Sequence, residues 1–390
     1  MKTSDLNRRK LLKFGIMSLG AFVGNILLPS PVKAAALSLS LVARGELLPP
    51  DHNGVRLPAG FTSRIVAHSG QNLFGYTWHA APDGGATFTS PEGGWVYVSN
   101  SELENQAGGV GALRFNARGE LVDAYSILSQ TNLNCAGGQT PWQTWLSCEE
   151  TDNGQVWECD PFGHKPAQVR SSLGLFKHEA VAVDTRDKRL YLTEDQSNGC
   201  FYRYIARSFD IAGNPNLDDG ILEVAEVIEG SNGAVRWHAL ADPSATTMPT
   251  RRQVPARTAF DGGEGIWYHQ GIVYFTTKGD DRVWAYDVQQ QRLSIFYDAG
   301  LYHSPVLTGV DNITGNTAGE LLVAEDGGNM QIVVLSGGNV LPLLQVVGHE
   351  RSEIAGPALS PDGSCLYFSS QRGKTGKSED GVTFEITGPF

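Results

Sequence analysis

Leu190-Tyr191-Leu192-Thr193-Glu194-Asp195 is a short aliphatic and aromatic run that stops abruptly at two acids. The unit recurs. Trp95-Val96-Tyr97-Val98, Thr144-Trp145-Leu146-Ser147, Val273-Tyr274-Phe275-Thr276, Leu321-Leu322-Val323-Ala324 and Leu366-Tyr367-Phe368-Ser369 read the same way. Each copy passes through polar or acidic residues with glycine into a second strand, beginning near Ala112, Gln155, Phe201, Arg282, Gln331 and Val382. Most copies start 45 to 50 residues after the one before. The step from Leu190 to Val273 needs an insertion of about 35 residues against a blade period. Turns rich in Asp and Gly precede several copies: Pro82-Asp83-Gly84-Gly85, Asp184-Thr185-Arg186-Asp187 and Pro361-Asp362-Gly363. Such turns preset a chain reversal. Strand, turn and strand at a period in the forties predict four-stranded blades, and six blades close an all-β, six-bladed β-propeller. A β-sandwich pair is the alternative; a β-helix needs a much shorter period. Residues 61–67 alternate as a strand and are expected to join the two ends of the ring.

Outside the repeat, composition narrows the partners. The chain has 390 residues, 46 glycines and a net charge of −12. That charge disfavours nucleic acid and anionic lipid. Asn7-Arg8-Arg9-Lys10-Leu11-Leu12-Lys13, followed by an apolar run over 14–28 and small residues at Ala34-Ala35-Ala36, reads as a twin-arginine signal peptide. The expected organisation is a signal over 1–34, a linker over 35–50 and a propeller over 51–390, with a rim insertion near 206–259. Localisation is expected to be periplasmic or secreted, with the twin-arginine export machinery as a partner, no membrane association after cleavage, and a monomeric state. Nothing after residue 30 is long and apolar enough to span a bilayer. The five cysteines, Cys135, Cys148, Cys159, Cys200 and Cys365, are odd in number and include no CxxC pair, against a structural zinc site.

The acids fall at equivalent places in the repeat. Asn100 and Glu102, Glu149 and Glu150, Glu194 and Asp195, and Glu325 and Asp326 follow the strands quoted above; Glu179, Glu264 and Asp311 precede such strands. Loops at one end of equivalent propeller strands gather around a central channel. Any single acid is more often a solvated carboxylate or a turn former. A set at equivalent positions would repel strongly unless cations neutralised it. Hard oxygen ligands suit calcium or a transition metal. Cys135 lies in a glycine-rich turn; such a cysteine is usually a small buried hydrophobe, but beside carboxylates it is a candidate thiolate ligand that favours iron. His79 and His178 are candidate ligands, proton carriers or satisfied core side chains.

The stretch Asn134-Cys135-Ala136-Gly137-Gly138-Gln139-Thr140-Pro141-Trp142-Gln143-Thr144-Trp145-Leu146-Ser147-Cys148-Glu149-Glu150 resembles the signature of the PhoX alkaline phosphatase family. Phe176-Lys177-His178-Glu179-Ala180, Leu192-Thr193-Glu194-Asp195, Gly263-Glu264-Gly265, Asp311-Asn312 and Glu325-Asp326 extend the resemblance over most of the chain after residue 50. The resemblance implies a six-bladed propeller, twin-arginine export and a calcium and iron centre that hydrolyses small phosphoesters. It implies that Cys135, Glu150, Glu179, Glu264 and neighbouring acids hold metal, with Glu149, Glu194, Asp195, Asp311, Glu325 and Asp326 as the wider set. Asn100 and Lys177 are expected to contact phosphate, with Lys278 and Arg372 as further cations. Two departures stand out. Gly262 replaces a family arginine, and Asn100-Ser101-Glu102 lacks a family histidine. A calcium-dependent lactonase and a non-catalytic metal-stabilised propeller are the rival readings.

Overall fold

The strands that stand out in the sequence are those covered on both faces. Every residue of Trp95–Ser101, Leu190–Glu194, Leu321–Glu325 and Cys365–Ser370 is buried. Each lies in the middle of a sheet with a neighbouring sheet on either side, so it reads as an unbroken apolar run. The computed structural model describes residues 40–228, 230 and 232–390; the signal peptide expected over 1–34 lies outside the described residues. Those residues form 28 strands and five short 3-10 turns, an all-β, propeller-like arrangement.

Six inner strands adjoin one another in cyclic order: Pro82–Thr89, Asn134–Gln139, His178–Val183, Gly263–His269, Val310–Gly315 and Ile354–Leu359, the last lying against the first. Each is the edge of an antiparallel meander. The division into six separate four-stranded blades holds only in part. Gly233–Ala239 pairs with Arg292–Asp298, so the third and fourth meanders share one nine-stranded sheet. The stretch 206–259, expected as a rim insertion, supplies Gly220–Val227 and Gly233–Ala239, two strands of that sheet.

The hydrophobic core is divided among the interfaces between neighbouring meanders. Six separate clusters fill them, for example Phe201 on Phe275 at 4.5 Å and Tyr97 on Tyr367 at 5.0 Å between ring centroids. Burying one such side chain contributes about 1.5–3 kcal/mol. The strand expected over 61–67 is present as Thr62–His68 and pairs with Val382–Thr387 near the other end of the chain. Ahead of it, Val55–Arg56 adds an outer strand to Asn339–Val346. Leu41 is buried in the last interface, and the Glu320 carboxylate accepts its backbone N–H.

Neighbouring inner strands are close enough to require glycine. A Cβ on Gly138 would lie 1.8 Å from the carbonyl oxygen of Val181 on the next inner strand. Gly138→Ala is therefore expected to destabilise the fold by about 3 kcal/mol, because a backbone atom has to move. Chemical denaturation measures this, and an unchanged midpoint would contradict the close packing.

Candidate metal centre

The same local irregularity opens the six inner strands. In each, one extra residue enters the ladder near its start, as between Pro82 and Gly85, His178 and Val181, or Gly263 and Ile266. The other three inner strands shift likewise. A bulge of this kind re-aims a side chain. At equivalent positions it places Asp83, Cys135, Glu179, Glu264 and Asp311, while the sixth strand has Ala355 there. The following residues are Gly84, Ala136, Ala180, Gly265, Asn312 and Gly356. All but Asn312 are small because the strands nearly touch: a Cβ on Gly84 would lie 2.5 Å from Ala136 Cα, and one on Gly356 2.5 Å from Asp83 O. A second ring comes from the residue just past each central strand: Glu102, Glu150, Asp195, Lys278, Asp326 and Gln371. A third comes from the residue before each inner strand, where Lys177 and Glu353 carry charge.

Nine carboxylates therefore meet at one mouth: Asp83, Glu102, Glu150, Glu179, Asp195, Glu264, Asp311, Asp326 and Glu353. Ligand atoms lie within 4.8 Å of one another in four overlapping groups: Glu102, Cys135 and Glu150; Asp83, Glu102 and Glu353; Glu179, Glu264 and Asp311; and Asp311, Asp326 and Glu353. Three cations face them. Lys177 Nζ lies 2.6 Å from Glu150 Oε1 and 3.0 Å from Asp195 Oδ2. Lys278 Nζ lies 3.0 Å from Glu264 Oε1 and 3.2 Å from Asp326 Oδ2. Arg372 pairs with Glu353. Nine acids less three cations leaves six negative charges if all ionise.

Protonation registers that imbalance. Burial, then the neighbouring Glu102, pushes Glu150 up to about 8. Burial is likewise the leading cause for Asp311, pushed up to about 6, and for Asp83, Glu179, Glu264 and Glu353, all well above the carboxylate range. Asp195 alone is lowered: burial, the largest influence, would raise it but is outweighed by its hydrogen bond with Glu150 and by the Lys177 ammonium. Cys135 Sγ donates to Glu179 Oε1 at 3.3 Å, and burial followed by Asp83 holds its thiol well above the ordinary value. Glu179 Oε2 has no partner although the residue is only 1% exposed. A buried carboxylate oxygen without a partner costs a full desolvation penalty. A thiol with carboxylates fits a softer ion at the first group, and all-oxygen donors fit a hard ion at the other three.

The structure brings together six of the ten ligands expected from sequence: Cys135, Glu150, Glu179, Glu264, Asp311 and Asp326. Asp195 lies at the mouth but is bridged by Lys177. Glu149, Glu194 and Glu325 are not in the cluster. Each ends a central strand, turns away from the axis and accepts the backbone N–H six residues on, from Gln155, Cys200 and Gln331 respectively. Glu149 and Glu325 also accept from Asn132 N and Thr308 N, while Glu194 is held by Tyr202 and Arg251. They are loop clamps. Asn100, expected to face phosphate, is fully buried; it donates to Cys135 O and Ala136 O and accepts from Trp145 and Ser147, so no group is left over. His178 is a buried core side chain and His79 a half-buried one; desolvation lowers both to about 3, outweighing a backbone hydrogen bond. All five cysteines are free and buried.

Asp83, Glu102 and Glu353 are not among the ten ligands expected from sequence, although Glu102 follows a central strand as Glu150 does. Asp83 reads as part of an Asp-Gly turn but sits in a bulged strand. Glu353 belongs to the sixth repeat, which has no acid after its central strand. The signal that finds it is position: it stands one residue before an inner strand, as Lys177 does.

Comparison with known proteins follows the same line. The family model described as Alkaline phosphatase PhoX matches residues 75–158 and 152–373. The structure resembles that of Pseudomonas fluorescens PhoX in complex with vanadate, a transition state analogue, with a TM-score of 0.74 and 18% identity over 88% of this chain and 98% of that one. It also resembles XC5397 from Xanthomonas campestris, a gluconolactonase, with a TM-score of 0.51 and 14% identity over 89% and 98%. A sequence comparison with curated proteins finds no match.

Raised carboxylate pKa values mean that the folded, cation-free chain holds protons the unfolded chain releases. The stability these groups contribute is then fully present below about pH 4.5 and lost as pH rises, through about 8 in the case of Glu150. The chelator-stripped protein is expected to melt at progressively lower temperature between pH 5 and pH 8. Calcium at one hundred times its Kd should restore about 2.7 kcal/mol at pH 8. A melting temperature that rises across that window would overturn this electrostatic account.

Proposed function

This chain belongs to the PhoX alkaline phosphatase family, and from that premise we propose that its acidic mouth is the centre of a metal-dependent phosphoester hydrolase. The observation that carries the reading is the convergence of nine carboxylates and one thiol, with the unpartnered Glu179 oxygen among them, at a single opening. We read the six meanders as a six-bladed propeller whose third and fourth blades share an edge. Cys135, Glu102 and Glu150 would hold iron; Asp83, Glu179, Glu264, Asp311, Asp326 and Glu353 would hold calcium. Bound ions there supply positive charge to phosphate oxygens and lower the pKa of water.

The chain's own cations complete the site. Lys278 is the one positively charged member of its ring, where Glu102, Glu150, Asp195 and Asp326 are acids. The side chains of Lys278 and Arg372 remain 36% and 33% exposed, so both ammonium and guanidinium stand at the open side of the mouth. Once ions neutralise Glu264, Asp326 and Glu353, these cations are the groups left to orient a phosphate and offset its charge. Gly262, with φ of 67°, lies beside Lys278 and Asp195: a Cβ there would be 3.8 Å from that of Lys278 and 3.3 Å from Asp195 Oδ1. The family carries arginine at this position. Asn100 shapes the wall behind Cys135 without reaching substrate. Export through the twin-arginine route, a periplasmic or secreted location and a monomeric state belong to the same reading; among the described residues no helix is long and apolar enough to cross a membrane.

The metal-loaded protein is expected to hydrolyse p-nitrophenyl phosphate at alkaline pH and to lose activity on chelation. Lys278→Met should lower kcat/KM about 10- to 100-fold, the equivalent of one charged hydrogen bond of about 1.5–3 kcal/mol. Absence of turnover on mono- and diesters by protein carrying both iron and calcium would sink the proposal.

A further inference from the structure

The ring of inner strands has an internal comparison built into it. His178–Val183 and Ile354–Leu359 are the third and sixth of six, so they face each other across the channel. The residue immediately before each points into the mouth, and the two carry opposite charge: Lys177 on one side, Glu353 on the other. Around Glu353 the neighbouring acids form two candidate ion groups, with Asp83 and Glu102 and with Asp311 and Asp326. Around Lys177 the equivalent acids Glu150 and Asp195 share no candidate ion group among the described residues: the third position is an ammonium, 2.6 and 3.0 Å from their oxygens, and Glu150 enters a group only with Glu102 and Cys135. The separation on the Glu150 side is at the upper end of calcium–oxygen distances, about 2.3–2.6 Å, and that on the Asp195 side is a few tenths of an ångström longer.

We propose that Lys177 is a built-in counter-cation, filling a seat between Glu150 and Asp195 that a divalent ion would otherwise occupy. The inference rests on the metal-centre reading above and adds to it a reason for ion number and placement. The ammonium neutralises one charge without an open coordination position, so the ions are confined to the centre and to the Glu353 side. It also fixes Glu150. With one oxygen tied to Lys177, that carboxylate is pre-oriented toward Cys135 and Glu102, with which it forms a candidate group. Lys177 is thus a positioning residue rather than a phosphate contact. The unpartnered Oε2 of Glu179 shows that this mouth has donor capacity beyond what the three cationic side chains satisfy.

The test is ion stoichiometry. Wild-type protein and the variants Lys177→Glu, Lys177→Gln and Lys177→Arg are equilibrated with calcium and iron, freed of unbound ions and measured by elemental analysis, with calcium titration calorimetry alongside. Lys177→Glu, which copies Glu353, is expected to hold one more equivalent of calcium than wild type. Lys177→Gln, which removes only the ammonium, should hold the same extra ion at least tenfold more weakly. Lys177→Arg should keep the wild-type count. Near-UV circular dichroism identifies any variant that fails to fold, and either of the first two suffices. Wild-type ion content in both folded variants overturns the inference while leaving the metal centre standing. A wild-type protein that binds no divalent or trivalent ion would remove the metal centre itself.

Discussion

Mutual repulsion among carboxylates is the constraint that organises this molecule. At an effective dielectric of about 20, two unit charges 4 Å apart interact by about 4 kcal/mol, and the mouth packs eight acids into overlapping groups of about that spacing, with Asp195 beside them. Most of them are almost wholly excluded from water; Glu179, Glu264 and Asp83 are at most 2% exposed. A fold that buried such a set without counter-charge would lose its stability several times over. The three internal cations offset part of the charge, protonation offsets more, and multivalent ions complete the neutralisation. Site chemistry and fold stability are therefore linked through the same side chains.

The scaffold tolerates this because it separates two roles that look alike in sequence. A glutamate that closes a central strand, as in Glu149, Glu194 and Glu325, is turned outward to hold loop N–H groups, which gives the next residue a fixed backbone. That next residue, Glu150, Asp195 or Asp326, then faces the axis. The bulge at the start of each inner strand does the corresponding work from the other side. Neighbouring residues along a strand point to opposite faces, so paired acids divide into one clamp and one member of the charged ring.

The repeat and its propeller-like closure were legible because central strands are buried on both faces and keep an apolar signature at a regular period. Thr62–His68 was legible as the joining strand for the same reason. Six ligands, from Cys135 to Asp326, were legible as acids or thiol at equivalent places. The clamps were not separable from ligands, since Glu149 and Glu150 differ only in the phase of the strand that carries them. Asp83 was hidden because Pro-Asp-Gly-Gly has the composition of a turn, and a bulged strand start needs the same residues. Asn100 looked available because a sequence does not show that Trp145 and Ser147 converge on its oxygen. The strands at 220–239 were obscured by the Pro- and Arg-rich loop that follows them.

The pairing of Thr62–His68 with Val382–Thr387 carries a consequence for the order of folding. The circle is sealed by two strands that lie far apart in the sequence. Until Val382–Thr387 is in place, Thr62–His68 lacks its partner and the ring stays open. Contacts this distant in sequence form slowly, so sealing of the ring is expected to follow the formation of the individual meanders, and the mouth takes its full set of side chains only once the seal is made.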